Sequence, residues 1–301
     1  MDKQKNIAII FAGGVGQRFG AQLPKQFVVA HGKPIIIHTL EVFENNPEID
    51  EIYVGIVEEW LPFFKALVER YGISKIPENG ILPGGESGQD TIYRILKRAA
   101  ENNDRESIVL IHDGVRPIVT AREISQNIEN VKKYGSAVTC IPFTETPVYS
   151  PDGEFVNATL ERKHMFRGVA PQSFRLGHII NAHEKIREND PNYEGEYDGF
   201  KIVDSASLVK AAYDEKCSIV EGNPNNMKVT GPDDFSKFCA VKAWSDYENF
   251  FNAQNDQSFV PNASMVEAQR LAELRAQAEA EEEKKNETKS KVMILTRSNK
   301  A

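Results

Sequence analysis

The chain has 301 residues, 41% of them hydrophobic, enough for a sizeable core in one large domain or two small ones. Its net charge of −8 disfavours a general binder of nucleic acid or anionic membrane, so any phosphate site must concentrate cations locally. Three widely spaced cysteines, Cys140, Cys217 and Cys239, are odd in number and lack zinc spacing, which implies reduced thiols in a cytoplasmic protein.

Residues 7–11 form an apolar run that predicts a buried first strand. The run ends too soon for a signal peptide, and no apolar stretch reaches the ~18–20 residues of a transmembrane helix. The stretch FAGGVGQRFGAQLPKQF follows at 11–27. Gly13, Gly14 and Gly16 let the backbone turn sharply, and bare N–H groups in such a turn make a concave anion site. Arg18 adds a planar fork for phosphate oxygens, and Lys25 adds a compact point charge. The loop reads as a site for a triphosphate whose α-phosphorus is attacked. It is not a P-loop, because no Gly-Lys-Ser/Thr closes it. It is not a dinucleotide fingerprint either, because Phe19 stands where the last glycine would. A glycine-rich strand–helix turn with surface cations is the plain alternative.

Helical spacing over 34–45, 61–71, 91–102 and 121–134 alternates with strand-like runs over 49–57, 107–112 and 137–142. This alternation predicts a doubly wound, mostly parallel α/β sheet with ligands at the carboxyl ends of its strands. The loop GGESGQDT at 84–91 precedes a helix, so its N–H groups can face a ligand. The stretch IHDGVRP at 111–117 directly follows a buried strand. A carboxylate there, Asp113, can hold Mg2+ bridging phosphates, with a helix or turn cap as the alternative.

Residues 143–170 break the pattern, with a turn signal at Pro151-Asp152-Gly153 between extended pieces. Three more stretches stand out: LER at 160–162 with FRGVAPQSF at 166–174, VDSAS at 203–207, and EGNPNNMKVTGPDD at 221–234. Beyond about 250 the composition shifts. Residues 265–285 are rich in Ala, Glu, Arg and Gln without Gly or Pro, which predicts partial helix with i, i+3 and i, i+4 pairs. The chain is therefore divided into a domain at 1–245 and a charged extension at 246–301, partly helical or disordered.

These motifs resemble, in order and at suitable spacing to about residue 240, those of the alditol-phosphate cytidylyltransferases. The two nearest branches act on ribitol 5-phosphate and 2-C-methyl-D-erythritol 4-phosphate. The resemblance implies a Rossmann-like nucleotidyltransferase with a protruding β-arm over about 143–170 that exchanges with a second subunit, hence a homodimer. It implies Arg18 and Lys25 as catalytic residues that stabilise the transition state and the leaving pyrophosphate. Arg162 and Lys228 are the implied catalytic residues that orient the substrate phosphate. Nucleotide contacts are implied for Phe11, Ala12, Gly13, Gly14, Gly16, Gly84, Gly85, Glu86, Asp90, Thr91 and His112. Thr146 joins Arg162 and Lys228 at the substrate, and Asp113 holds Mg2+.

The chain also departs from that family. Gly88 stands where the family has Arg, Val169 and Ala170 replace Gln and Thr, and Glu161, Glu145 and Ser205 each replace Asp. The hydroxyl missing at Ala170 is one the erythritol branch uses near the substrate phosphate. The phrase KHMFRG–PQSF and the segment EEWLPFF resemble the ribitol branch more.

The implied reaction joins CTP and ribitol 5-phosphate into CDP-ribitol and pyrophosphate, feeding teichoic-acid or capsule synthesis. Positioning and cationic stabilisation carry such a transfer. No covalent nucleophile is required, in keeping with the absence of a Ser/His or Cys/His motif. Methylerythritol phosphate, for isoprenoid synthesis, is the alternative acceptor. A noncatalytic nucleotide-binding or scaffold protein is the alternative of another class, and a different nucleotide or sugar phosphate is a third. No nucleic-acid or membrane partner is expected.

Overall fold

The structure, a computed structural model, describes residues 4–13, 23–197 and 199–252. Gly14, Gly16, Arg18 and the helix expected at 265–285 lie outside the described residues. Seven strands build the main sheet: β1 (Asn6–Ala12), β2 (Glu51–Ile56), β3 (Ile81–Pro83), β4 (Ile108–Asp113), β5 (Ser136–Pro142), β6 (Phe166–Arg175) and β7 (Ser218–Glu221). Their spatial order is β7-β5-β6-β4-β1-β2-β3. Every neighbouring pair is parallel except those of β6, which runs antiparallel to both β4 and β5.

The helices are α1 (Ile35–Glu44), α2 (Leu61–Arg70), α3 (Gly88–Ala100), α4 (Ala121–Tyr134), α5 (Leu176–Arg187), α6 (Ser205–Tyr213) and α7 (Pro232–Asn252). Successive strand side chains point to opposite faces, so the apolar run of β1 serves two cores. Ala8 and Ile10 pack with Ile36 and Leu40 of α1 and with Ile124 and Ile128 of α4. Ile7 and Ile9 pack instead with Ile95 of α3, Ile179 of α5 and Leu208 of α6. Helices on both faces confirm the doubly wound expectation.

Three helix starts are fixed by side-chain caps. The Ser87 hydroxyl accepts the Asp90 N–H at 3.1 Å and opens α3 earlier than the helical spacing at 91–102 suggests. Thr120 and Glu123 form a capping box for α4, and Asp204 and Ser207 form one for α6.

The segment expected as an arm over 143–170 is shorter. Val148–Tyr149 pairs antiparallel with Ala158–Thr159 in an exposed ladder. Phe166, however, already pairs with Pro142 and begins β6. That strand was hidden in the sequence because Gly168 and Pro171 interrupt it. A register shift between Gly168 and Gln172 absorbs the proline, which has no N–H for the ladder.

One compact unit spans Met1–Phe238 and a second begins at Cys239. Helix α7 runs through the boundary expected at 245. Among the described residues no helix is long and apolar enough to cross a membrane.

Candidate active site

Two adjoining cavities open at the carboxyl edge of the parallel strands, where doubly wound sheets bind ligands. Their volumes are about 360 Å³ and about 490 Å³. Phe11, Ser87, Gly88, Asp113 and Lys228 line both and so form the wall between them. Strand β6 contributes its amino end to this edge because it runs antiparallel to its neighbours.

The smaller cavity is completed by Ala12, Gly13, Lys25, Gln26, Gly85, Glu86, Thr91 and Val115. Lys25 opens a short 3-10 turn, Lys25–Phe27, just after the glycine loop. That turn is anchored from both sides. Gln26 donates to the Ala12 carbonyl at 3.0 Å, and buried Phe27 packs against the rings of Trp60, Phe63 and Phe64.

The loop before α3 is built around Thr91. Its hydroxyl accepts the Gly85 N–H at 2.8 Å and donates to the Ser87 carbonyl at 2.9 Å. Gly85 has no room for a side chain, because a Cβ there would lie 2.0 Å from Asp90 Oδ2. Gly88 is different. Nothing lies within 4 Å of a Cβ placed there, so the position of the missing arginine opens onto free space between the two cavities.

The shared wall carries the strongest electrostatics. Asp113 ends β4, is 6% exposed, and accepts from Arg116 Nε at 2.7 Å and from Lys228 Nζ at 2.5 Å. Burial pushes the Asp113 carboxyl up, but the charges and hydrogen bonds of Lys228 and Arg116 outweigh it and hold the group below the usual carboxylate range. Arg116 also donates to the Asn226 carbonyl at 3.1 Å, and the Val229 N–H bonds the Val115 carbonyl at 2.9 Å. These two bonds tie the segment that carries Lys228 to the end of β4.

The larger cavity adds Arg116, Val169, Ala170, Gln172, Tyr193 and Asp204 to the wall. Val169 and Ala170 sit in the register shift of β6, which turns their part of the strand toward the cavity.

Nine predicted site residues therefore meet at one edge: Phe11, Ala12, Gly13, Lys25, Gly85, Glu86, Thr91, Asp113 and Lys228. Five others do not. His112 is fully buried on the opposite side of its strand from Asp113, bonded to the Arg116 carbonyl at 3.0 Å and packed on Phe43. Burial lowers its pKa to about 4, so it is a neutral core histidine. Asp90 turns away from the cavities to ion pairs with Arg94 at 2.9 Å and Arg187 at 3.0 Å. Gly84 sits behind the loop, its N–H on the Ile56 carbonyl at 2.7 Å. Thr146 and Arg162 are exposed on the arm segment and line neither cavity, and Arg162 donates to the Thr144 carbonyl at 2.8 Å.

Sequence reasoning left out Arg116, Gln26, Gln172, Tyr193 and Asp204 as site residues. The first was visible in HDGVRP, three residues after the carboxylate it pairs with. Tyr193 carried no signal, because its loop matches no motif.

A mostly parallel α/β sheet with a cation-bearing split cavity at its carboxyl edge is consistent with a nucleotidyltransferase. The family model described as 2-C-methyl-D-erythritol 4-phosphate cytidylyltransferase matches residues 6–241, and the chain belongs to that family. A ribitol-5-phosphate cytidylyltransferase of Streptococcus agalactiae is 40% identical over 237 residues, 78% of this chain and 94% of the relative. A 2-C-methyl-D-erythritol 4-phosphate cytidylyltransferase of Geotalea uraniireducens is 34% identical over 228 residues, 75% of this chain and 92% of the relative. Among solved structures, 4-diphosphocytidyl-2C-methyl-D-erythritol synthase of Anaerococcus prevotii superposes with a TM-score of 0.66 at 25% identity, covering 79% of this chain and 96% of that one.

Proposed function

We propose that this cytidylyltransferase joins CTP and ribitol 5-phosphate into CDP-ribitol and pyrophosphate. The observation that carries the reading is the pair of cavities divided by Asp113 and Lys228. A triphosphate in the smaller one and a polyol phosphate in the larger one meet at that wall. A phosphate oxygen of the polyol attacks the α-phosphorus, the bond to the bridging β-phosphate oxygen breaks, and pyrophosphate leaves. Both reactants are anions, so Lys25, Arg18, Lys228 and Arg116 act by positioning them and offsetting their charge.

The acceptor is ribitol 5-phosphate rather than methylerythritol phosphate. Supporting this are the higher identity to the ribitol relative and Ala170 in the larger cavity, which lacks the hydroxyl that the resemblance places near the substrate phosphate of the erythritol branch. The residues also fit a magnesium ion. Among the described residues no cluster of three acidic, His or Cys side chains could hold a metal by itself. Asp113 is ionised, and its two oxygens offer roughly four acceptor sites, of which Arg116 and Lys228 use two. Asp113 would hold Mg2+ together with triphosphate oxygens and water, and the ion would neutralise phosphate charge.

The exposed arm supports a homodimer in which Arg162 and Thr146 serve the partner copy's larger cavity. The enzyme acts in the cytoplasm, where CTP is available. Pyrophosphate release with CTP and ribitol 5-phosphate, with the product identified by mass, tests the assignment. CDP-ribitol is the predicted product, and release that does not depend on a polyol phosphate would refute it.

A further inference from the structure

Among the groups that line the larger cavity, Asp204 is the carboxylate with no ionic partner. Asp113, on the shared wall, is neutralised by Arg116 and Lys228. Asp204 lines only the larger cavity, and among the described residues no Lys, Arg or His forms an ion pair with it. It is half-buried and rigidly held. Oδ1 accepts the Ser207 N–H at 2.8 Å and caps α6, while Oδ2 accepts from Gln172 Nε2 at 2.8 Å. Gln172 is itself fixed, since its Oε1 accepts the Ala206 N–H at 3.0 Å. A carboxylate has roughly four acceptor sites, so each oxygen keeps one for a further donor.

Asp204 and Gly168 both line the larger cavity. Gly168 lies across from Oδ2, and a Cβ placed there would be 3.7 Å from that oxygen. A fixed carboxylate facing an open cavity selects a ligand portion rich in O–H donors and free of negative charge, because charge-assisted hydrogen bonds are the strong ones and a second anion is repelled. A polyol chain has those properties.

We propose that Asp204, held by Gln172, reads the hydroxyl groups of the acceptor's polyol chain and so sets acceptor length and polarity. The inference rests on the polyol-phosphate reading above. The phosphate of the acceptor engages the cations at the wall, and its distal hydroxyls donate to Asp204.

The test compares the KM of ribitol 5-phosphate with the inhibition constant of glycerol 3-phosphate, which has the phosphate but lacks the distal hydroxyls. Asp204→Ser and Asp204→Asn both keep a good helix cap, so α6 stays formed. In either variant the KM of ribitol 5-phosphate rises about tenfold to a hundredfold, the range for hydrogen bonds to a charged group. The constant for glycerol 3-phosphate and the KM of CTP stay within about twofold. Gly168→Ala, which the fold accommodates, shields Oδ2 and moves the ribitol 5-phosphate KM in the same direction. Equal loss for both polyol phosphates, or no change for either, overturns the inference. Failure of the parent protein to use ribitol 5-phosphate instead overturns the acceptor assignment. The same variants are then read with methylerythritol phosphate against glycerol 3-phosphate, and the same criterion decides.

Discussion

Lys228 Nζ sits 2.5 Å from Asp113 Oδ1, and this ion pair forms the wall between the two cavities. A cation there can face an attacking phosphate on one side and the α-phosphate on the other. Lys228→Met is therefore predicted to lower kcat/KM by about 10²–10³-fold, the loss typical of removing one group that stabilises transition-state charge. The fold persists, because Arg116 still pairs with Asp113 at 2.7 Å. Steady-state kinetics with a circular dichroism control checks this, and a loss below about threefold would argue against a role at the wall.

Gly85 and Asp90 form a tight pair in the loop before α3. Gly85→Ala puts a Cβ 2.0 Å from Asp90 Oδ2 and 2.6 Å from its Cγ, so the loop must shift. Overpacking of this kind destabilises by about 1–3 kcal/mol. The loop lines the smaller cavity, so the KM of CTP rises more than that of the acceptor. Isothermal titration with CTP and thermal melting separate the two effects, and unchanged CTP affinity would contradict the placement.

The same loop shows how far the sequence could be read. Strand β1 and helices α1, α2 and α4 were legible because an apolar run or stripe of the right period must be buried. The glycine pair before α3 was legible because a close backbone approach leaves no room for Cβ. Strand β6 was not, because Gly168 and Pro171 mimic loop chemistry while a register shift removes the conflict. His112 and Asp113 adjoin in sequence but face opposite sides of β4, so one entered the core and the other the site. Strand alternation could have separated them. Nothing local could have revealed Asp204 facing Gly168, since that juxtaposition depends on where α6 docks.

His183 is buried without exposure, and its Nδ1 is 2.7 Å from the Tyr193 hydroxyl. Burial, with the nearby charge of Arg187, pushes its pKa down to about 3 from an ordinary 6.5. The folded state therefore resists a proton that the unfolded chain accepts. Its contribution to stability is complete above pH 6.5 and is lost as pH falls toward about 3. Melting temperature is predicted to decline through that window, and His183→Asn to flatten the decline whatever it does to absolute stability. Parallel curves for parent and variant would rule out His183 as the source.

Arg162 and Asp113 offer a test of the proposed dimer. Arg162 lines neither cavity of its own chain. If it serves the partner's site, Arg162→Ala and Asp113→Ala are each nearly inactive alone. Mixing them under subunit exchange restores activity, because the first variant keeps Asp113 and receives an intact arm. Light scattering should report a dimer for both. No recovery from exchanged mixtures would place Arg162 outside the reaction or within its own chain's site.

The most direct measurement is a competition for limiting CTP between equal concentrations of ribitol 5-phosphate and 2-C-methyl-D-erythritol 4-phosphate, with both products quantified by mass. CDP-ribitol is predicted in at least tenfold excess, roughly 1.4 kcal/mol of discrimination. An excess of the methylerythritol product would contradict it.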